Sequence, residues 1–149
     1  MGRFCFQHKA VYFHHDYFIK RIMSDSPIFA LFITKSPYDS RNAESALAFC
    51  EAAVALGYKV KHVFFYQAGV HNSSKHLCVN TDEVSVKDRW QALNAQHKIP
   101  LYLCVTAGTR RGIVTSHSED DTTAACFTSV GMSEYFASLH DDSIKSIQF

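Results

Sequence analysis

The chain has 149 residues, 47% of them hydrophobic and 13% aromatic, and a formal net charge of +1. That length predicts one domain with an ample core, and that charge supplies no global basic field to recruit nucleic acid. The five cysteines are odd in number and include no C-x-x-C pair, which predicts a reduced, cytoplasmic chain, and no window is apolar for long enough to span a bilayer.

Met1 to Ile22 is aromatic and basic, its apolar stretches broken by Lys9, His14, His15 and Asp16, with no signal-peptide core. Residues 1–26 are read as an N-terminal extension, either flexible or foreign to the native chain, with Met23 its candidate natural start. Residues 27–149 are read as the domain. Ile28 to Ile33 is a continuous apolar run, as suits a parallel strand covered on both faces. Residues 34–42 form a loop containing Pro37, with Ser40 as the expected helix cap. Ala43, Ala46, Leu47, Cys50 and Val54 recur at helical spacing before Gly57, and Val60 to Tyr66 is the next strand. Strand, helix, strand spells a βαβ unit.

Residues 67–82 are polar and read as a long loop, of the kind that often carries function. A helix is expected from about Glu83 to His97, with Val86, Trp90 and Leu93 on one face. The strand 100–105 follows, then a helical turn over 106–111 and an acidic segment around Glu119, Asp120 and Asp121. A last helix is expected over about 129–139, and a β-like end over 143–149. In open α/β sheets, ligands gather outside the carboxyl ends of strands. Loop 34–42, loop 67–82 and the turn after residue 104 are therefore expected to surround one site.

Cys104 is the residue with the clearest chemical signal. An apolar strand, Pro100 to Val105, delivers a thiol to a small-residue turn that ends in Arg110, Arg111 and Gly112. The thiolate is the nucleophile, and nearby cations or a helix start favour it. The alternative is a small core hydrophobe at a strand end. The arginines likewise have two readings: stabilising an anion on Cys104, or pairing and capping. Of the other thiols, Cys50 and Cys126 are expected to be packed and Cys78 exposed in the long loop. His71, His76 and Cys78 lack a fourth converging ligand, so no metal is expected. There is no G-x-G-x-x-G and no Walker motif, so no nucleotide or organic cofactor is expected.

Several segments together resemble one family. Phe64-Phe65-Tyr66-Gln67-Ala68-Gly69-Val70 is similar to the FFY-x-x-GV segment of the DsrE/TusD sulfur-relay proteins. Residues 38–49 resemble their first loop and helix, and Trp90 to His97 is similar to the helix of their TusD branch. Leu103-Cys104-Val105 with Arg110-Arg111-Gly112 resembles the stretch that bears the family's persulfide cysteine, and Ile147-Gln148-Phe149 its ending. The resemblance covers residues 27–149 in order and is nearest to TusD-type sulfurtransferase subunits.

It implies a single-domain, flavodoxin-like, three-layer α/β fold with a mostly parallel central sheet. It implies that Cys104 accepts sulfane sulfur as a persulfide from a TusA-type donor and passes it to a TusE-type acceptor, for 2-thiolation of tRNA wobble uridine. TusB-like and TusC-like sister subunits would complete a heterohexamer, with no cofactor, no direct nucleic acid contact and no membrane. Arg110 and Arg111 would be persulfide-stabilising. The alternatives are DsrE-type sulfur trafficking in dissimilatory sulfur oxidation and a non-catalytic assembly subunit.

Overall fold

A computed structural model describes residues 26–80, 82–113 and 121–149. The extension expected over 1–26, Ser26 apart, lies outside them, as do Cys5, Glu119 and Asp120. The elements are β1 (Ile28–Ile33), α1 (Asn42–Ala55), β2 (Lys59–Phe65), a 3-10 helix (Gln67–Ser73), α2 (Val86–His97), β3 (Leu101–Cys104), α3 (Val105–Thr109), β4 (Phe127–Val130), α4 (Met132–Ala137) and β5 (Ile144–Gln148). The strands form one five-stranded sheet in the order β4-β3-β2-β1-β5, and every pairing is parallel. This is the expected layered α/β architecture. Among the described residues no helix is long and apolar enough to cross a membrane.

Parallel strands need crossover connections, which lay helices over the sheet faces and make the central strands apolar on both sides. The α1 and α2 layer packs on one face. There Phe29 meets Phe49 edge-on at 5.1 Å, and Phe65 meets Trp90 at 5.3 Å. On the other face Phe32, His62 and Phe64 gather around Tyr135 of α4, with ring centroids 5.0, 5.6 and 4.6 Å away. The Tyr135 hydroxyl lies 2.8 Å from Ser146 Oγ on β5, which pins the short helix to the sheet edge.

Four local expectations need correction. Ser40 does not cap α1; Arg41 holds the N-cap position, and Ser40 Oγ accepts from the Asn42 N–H at 3.4 Å. The second helix starts at Val86 rather than Glu83, because Ser85 caps it by accepting from the Asp88 N–H at 3.2 Å. The first half of the expected loop 67–82 is a 3-10 helix, held by Asn72 Nδ2, which donates to the carbonyls of Gly69 (2.8 Å) and Lys35 (3.3 Å). The last helix does not begin at 129. Residues Phe127–Val130 are a strand paired with Leu101–Cys104, and the helix starts after Gly131.

His62 carries a consequence for acid stability. It is 1% exposed, its ring lies between Tyr102 and Tyr135, and its Nε2 has no hydrogen-bond partner among the described residues. Burial, with the neighbouring Lys61 adding to it, pushes its pKa down from 6.5 to about 4. Between those values the unfolded chain binds a proton that the folded chain refuses. Stability is thus expected to fall as pH drops from about 6.5 to about 4, by up to about 3 kcal/mol, and to be indifferent to this group above that window. His62→Phe should flatten the urea midpoint across that range relative to wild type. An unchanged slope would assign the acid sensitivity elsewhere.

Candidate active site

The sheet order sets the C-terminal ends of β2, β3 and β4 side by side, and an open cavity of about 400 Å³ lies there. Tyr66 and Gln67 line it from the end of β2, and Met132 from the start of α4. The rest of its wall is the β3–α3 junction: Cys104, Thr106, Ala107, Arg110 and Arg111. The three residues singled out from the sequence therefore share one cavity.

Cys104 is the last residue of β3 and the N-cap of α3. It is only 2% exposed, so a reacting atom must enter the cavity to meet its sulfur. The turn that carries the arginines is closed by backbone bonds: Arg110 N–H to Thr106 O, Arg111 N–H to Gly108 O, and Ile113 N–H to Gly108 O. Gly112 sits there at φ +70, a conformation that costs a side-chain-bearing residue dearly. Gly108 is packed so tightly that an added Cβ would lie 3.2 Å from Ile113 O.

The two arginines differ. Arg111 Nη1 donates to Ala107 O at 3.2 Å, binding its guanidinium to the end of α3. Arg110 makes no side-chain hydrogen bond or ion pair among the described residues and lies at the exposed rim. Arg111→Ala is therefore expected to lower stability by about 1 kcal/mol, and Arg110→Ala to leave it within about 0.5 kcal/mol. Conversely, Arg110→Ala should slow iodoacetamide alkylation of Cys104 by up to about five-fold, the weight of one screened charge. Equal effects of the two variants on alkylation would erase the distinction.

The other thiols are set apart. Burial, with Glu51 beside it, pushes the Cys50 thiol up to about 12, so it is inert near neutrality. Burial also raises Cys126. Cys78 is exposed, as expected, but outside the cavity.

Loop 34–42 does not join the site. It turns toward α2, where the Tyr38 hydroxyl accepts from the Val86 N–H at 3.2 Å. Of the described residues of loop 67–82 only Gln67 lines the cavity. Met132 was not foreseen as a site residue, and Gln67 was foreseen only as part of loop 67–82 and not singled out. The one local signal for Gln67 was its place directly after a strand end. Its backbone lies at φ +49, in a region that costs an L-residue about 1–2 kcal/mol.

A parallel α/β sheet that holds a cysteine in a cavity at the carboxyl ends of its strands defines a thiol-bearing α/β protein. Residues 28–148 match the DsrE/DsrF-like family, and the chain belongs to it, within the DsrE/TusD-type sulfur-relay proteins. Among solved structures the fold is similar to that of the ychN protein from E. coli. The TM-score is 0.67 at 17% identity, over 83% of this chain and 99% of that one.

Proposed function

We propose that this protein is a TusD-type sulfurtransferase subunit that works through Cys104. The observation that carries the reading is a thiol 2% exposed in a cavity whose rim bears Arg110, a cation with no side-chain partner among the described residues. The Cys104 thiolate attacks the terminal sulfur of a persulfide on a TusA-type donor. The S–S bond of the donor breaks, and its cysteine leaves as a thiolate. Cys104 now carries the sulfane sulfur as an anionic persulfide, which Arg110 favours electrostatically. A TusE-type acceptor thiolate attacks that outer sulfur in turn and frees Cys104. One bond forms and one breaks at each step, so neither oxidant nor reductant is consumed. The sulfur then serves 2-thiolation of tRNA wobble uridine, and TusB-like and TusC-like subunits share the assembly.

The test is persulfide mapping. The protein, with its sister subunits, is incubated with a cysteine desulfurase and a TusA-type carrier, and each cysteine peptide is weighed for one added sulfur atom. Sulfur on Cys104, removable by a TusE-type acceptor, is the expected result. Sulfur on no cysteine, with all partners active, would overturn the reading in favour of an assembly subunit.

A further inference from the structure

Among the described residues three non-glycine positions have positive φ: Tyr38 at +71, Gln67 at +49 and Lys98 at +57. Two have evident reasons. Lys98 is the left-handed C-cap of α2, its N–H bonded to Asn94 O. Tyr38 places its hydroxyl on the first N–H of α2. Gln67 has neither role. Its side chain is exposed, makes no hydrogen bond among the described residues, and lines the cavity that holds Cys104.

The backbone around Gln67 is fixed from both sides. Tyr66 N–H donates to Ile33 O at 2.8 Å, and Gly69 N–H lies 3.1 Å from Thr34 O and 2.8 Å from Tyr66 O. That clamp dictates the left-handed turn whatever residue occupies position 67, and glycine would adopt it without strain. A strained side chain at a cavity wall, where glycine would adopt the turn without strain, points to a role in the cavity.

We infer that Gln67 is a substrate-contacting residue, whose carboxamide N–H groups donate to the anionic sulfur species that reacts at Cys104. The inference deepens the reading of Cys104 as the sulfur-accepting thiol and rests on it. A carboxamide supplies two donors without charge of its own. Beside the cation of Arg110 it leaves the cavity selective for anions, and a persulfide is an anion where an ordinary thioether or disulfide is not. Hydrogen bonds to ionised acceptors are the stronger kind, so the loss should be felt as a rate.

The experiment compares wild type, Gln67→Leu and Gln67→Gly. Gln67→Leu keeps bulk and strain but removes the donors; Gln67→Gly removes both. Cys104 is alkylated with iodoacetate, an anion, and with iodoacetamide, its neutral counterpart, and the rate ratio is read by peptide mass spectrometry. Both variants are expected to lower the iodoacetate-to-iodoacetamide ratio, and sulfur uptake from the donor persulfide, by about ten-fold or more. Only Gln67→Gly is expected to raise the thermal midpoint. An unchanged ratio in both variants would overturn the role of Gln67 and reduce it to a turn residue. Wild type that alkylates with the expected ratio yet never takes up sulfur would overturn the sulfurtransferase reading alone, because the ratio tests Gln67 without a sulfur donor.

Discussion

Cys104→Ser is expected to reduce sulfur acceptance to background while leaving the fold in place. Among the described residues that line the cavity, the exchange removes the one atom that combines nucleophilicity with the ability to hold sulfane sulfur. A serine hydroxyl stays protonated near neutrality and forms no stable bond of that kind. The volumes are close, and the new hydroxyl faces a cavity open to water, so stability should change by no more than about 1 kcal/mol. Intact mass after incubation with a persulfide donor is the readout, with the urea midpoint as the folding control. Transferable sulfur at the wild-type level in the serine variant would remove Cys104 from the mechanism. The exposed Cys78 would then be the thiol to examine.

The second large effect is structural. A Cβ added at Gly69 would lie 2.3 Å from Ile33 O and 2.9 Å from Ile33 C, both backbone atoms that cannot rotate aside. Gly69→Ala must therefore part the 3-10 helix from the end of β1, where Ile33 O also accepts from the Tyr66 N–H at 2.8 Å. The expected cost is about 3 kcal/mol or more, at or beyond the upper end for overpacking. Because Tyr66 and Gln67 line the cavity, reaction at Cys104 should suffer with it. Gly57→Ala is the control: its φ is +81, but nothing lies within 4 Å of the added methyl. It should cost only the backbone penalty of about 1–2 kcal/mol. A Gly69→Ala protein with a wild-type midpoint would contradict the packing of this turn.

Both variants bear on what could be read before the fold was known. β1, β2, β3 and the two long helices were legible because each has its own periodicity: apolar runs for strands buried on both faces, 3.6-residue spacing for helices packed on one. Cys104 was legible for a related reason. A thiol at the end of an apolar strand, followed by a small-residue turn and two cations, is a local pattern, and its chemistry needs little more than its neighbours in sequence. Cys50 was similarly placed by its position on an apolar helix face, and it is buried.

β4 had no such signature. Phe127–Val130 is four residues long and half polar, and it becomes a strand because the free edge of β3 offers it a parallel partner from Leu101 to Cys104. The 3-10 helix after β2 reads as a polar loop; it is ordered by Asn72 reaching the carbonyls of Gly69 and Lys35. The arginines read as a pair, and both line the cavity, yet only Arg111 is tied back to α3, by its hydrogen bond to Ala107 O.

The wall opposite Cys104 depends most on the whole fold. Gln67 and Met132 are far from Cys104 along the chain, and only the sheet order β4-β3-β2 brings the ends of their strands to the thiol. Local sequence thus specifies the nucleophile and the strand that carries it, because side-chain chemistry and short-range periodicity act within a few residues. The cavity, the contact residue at 67 and the division of labour between Arg110 and Arg111 come from strand pairing and packing between distant segments. Those follow from how the whole sheet closes, and no single stretch of the chain contains them.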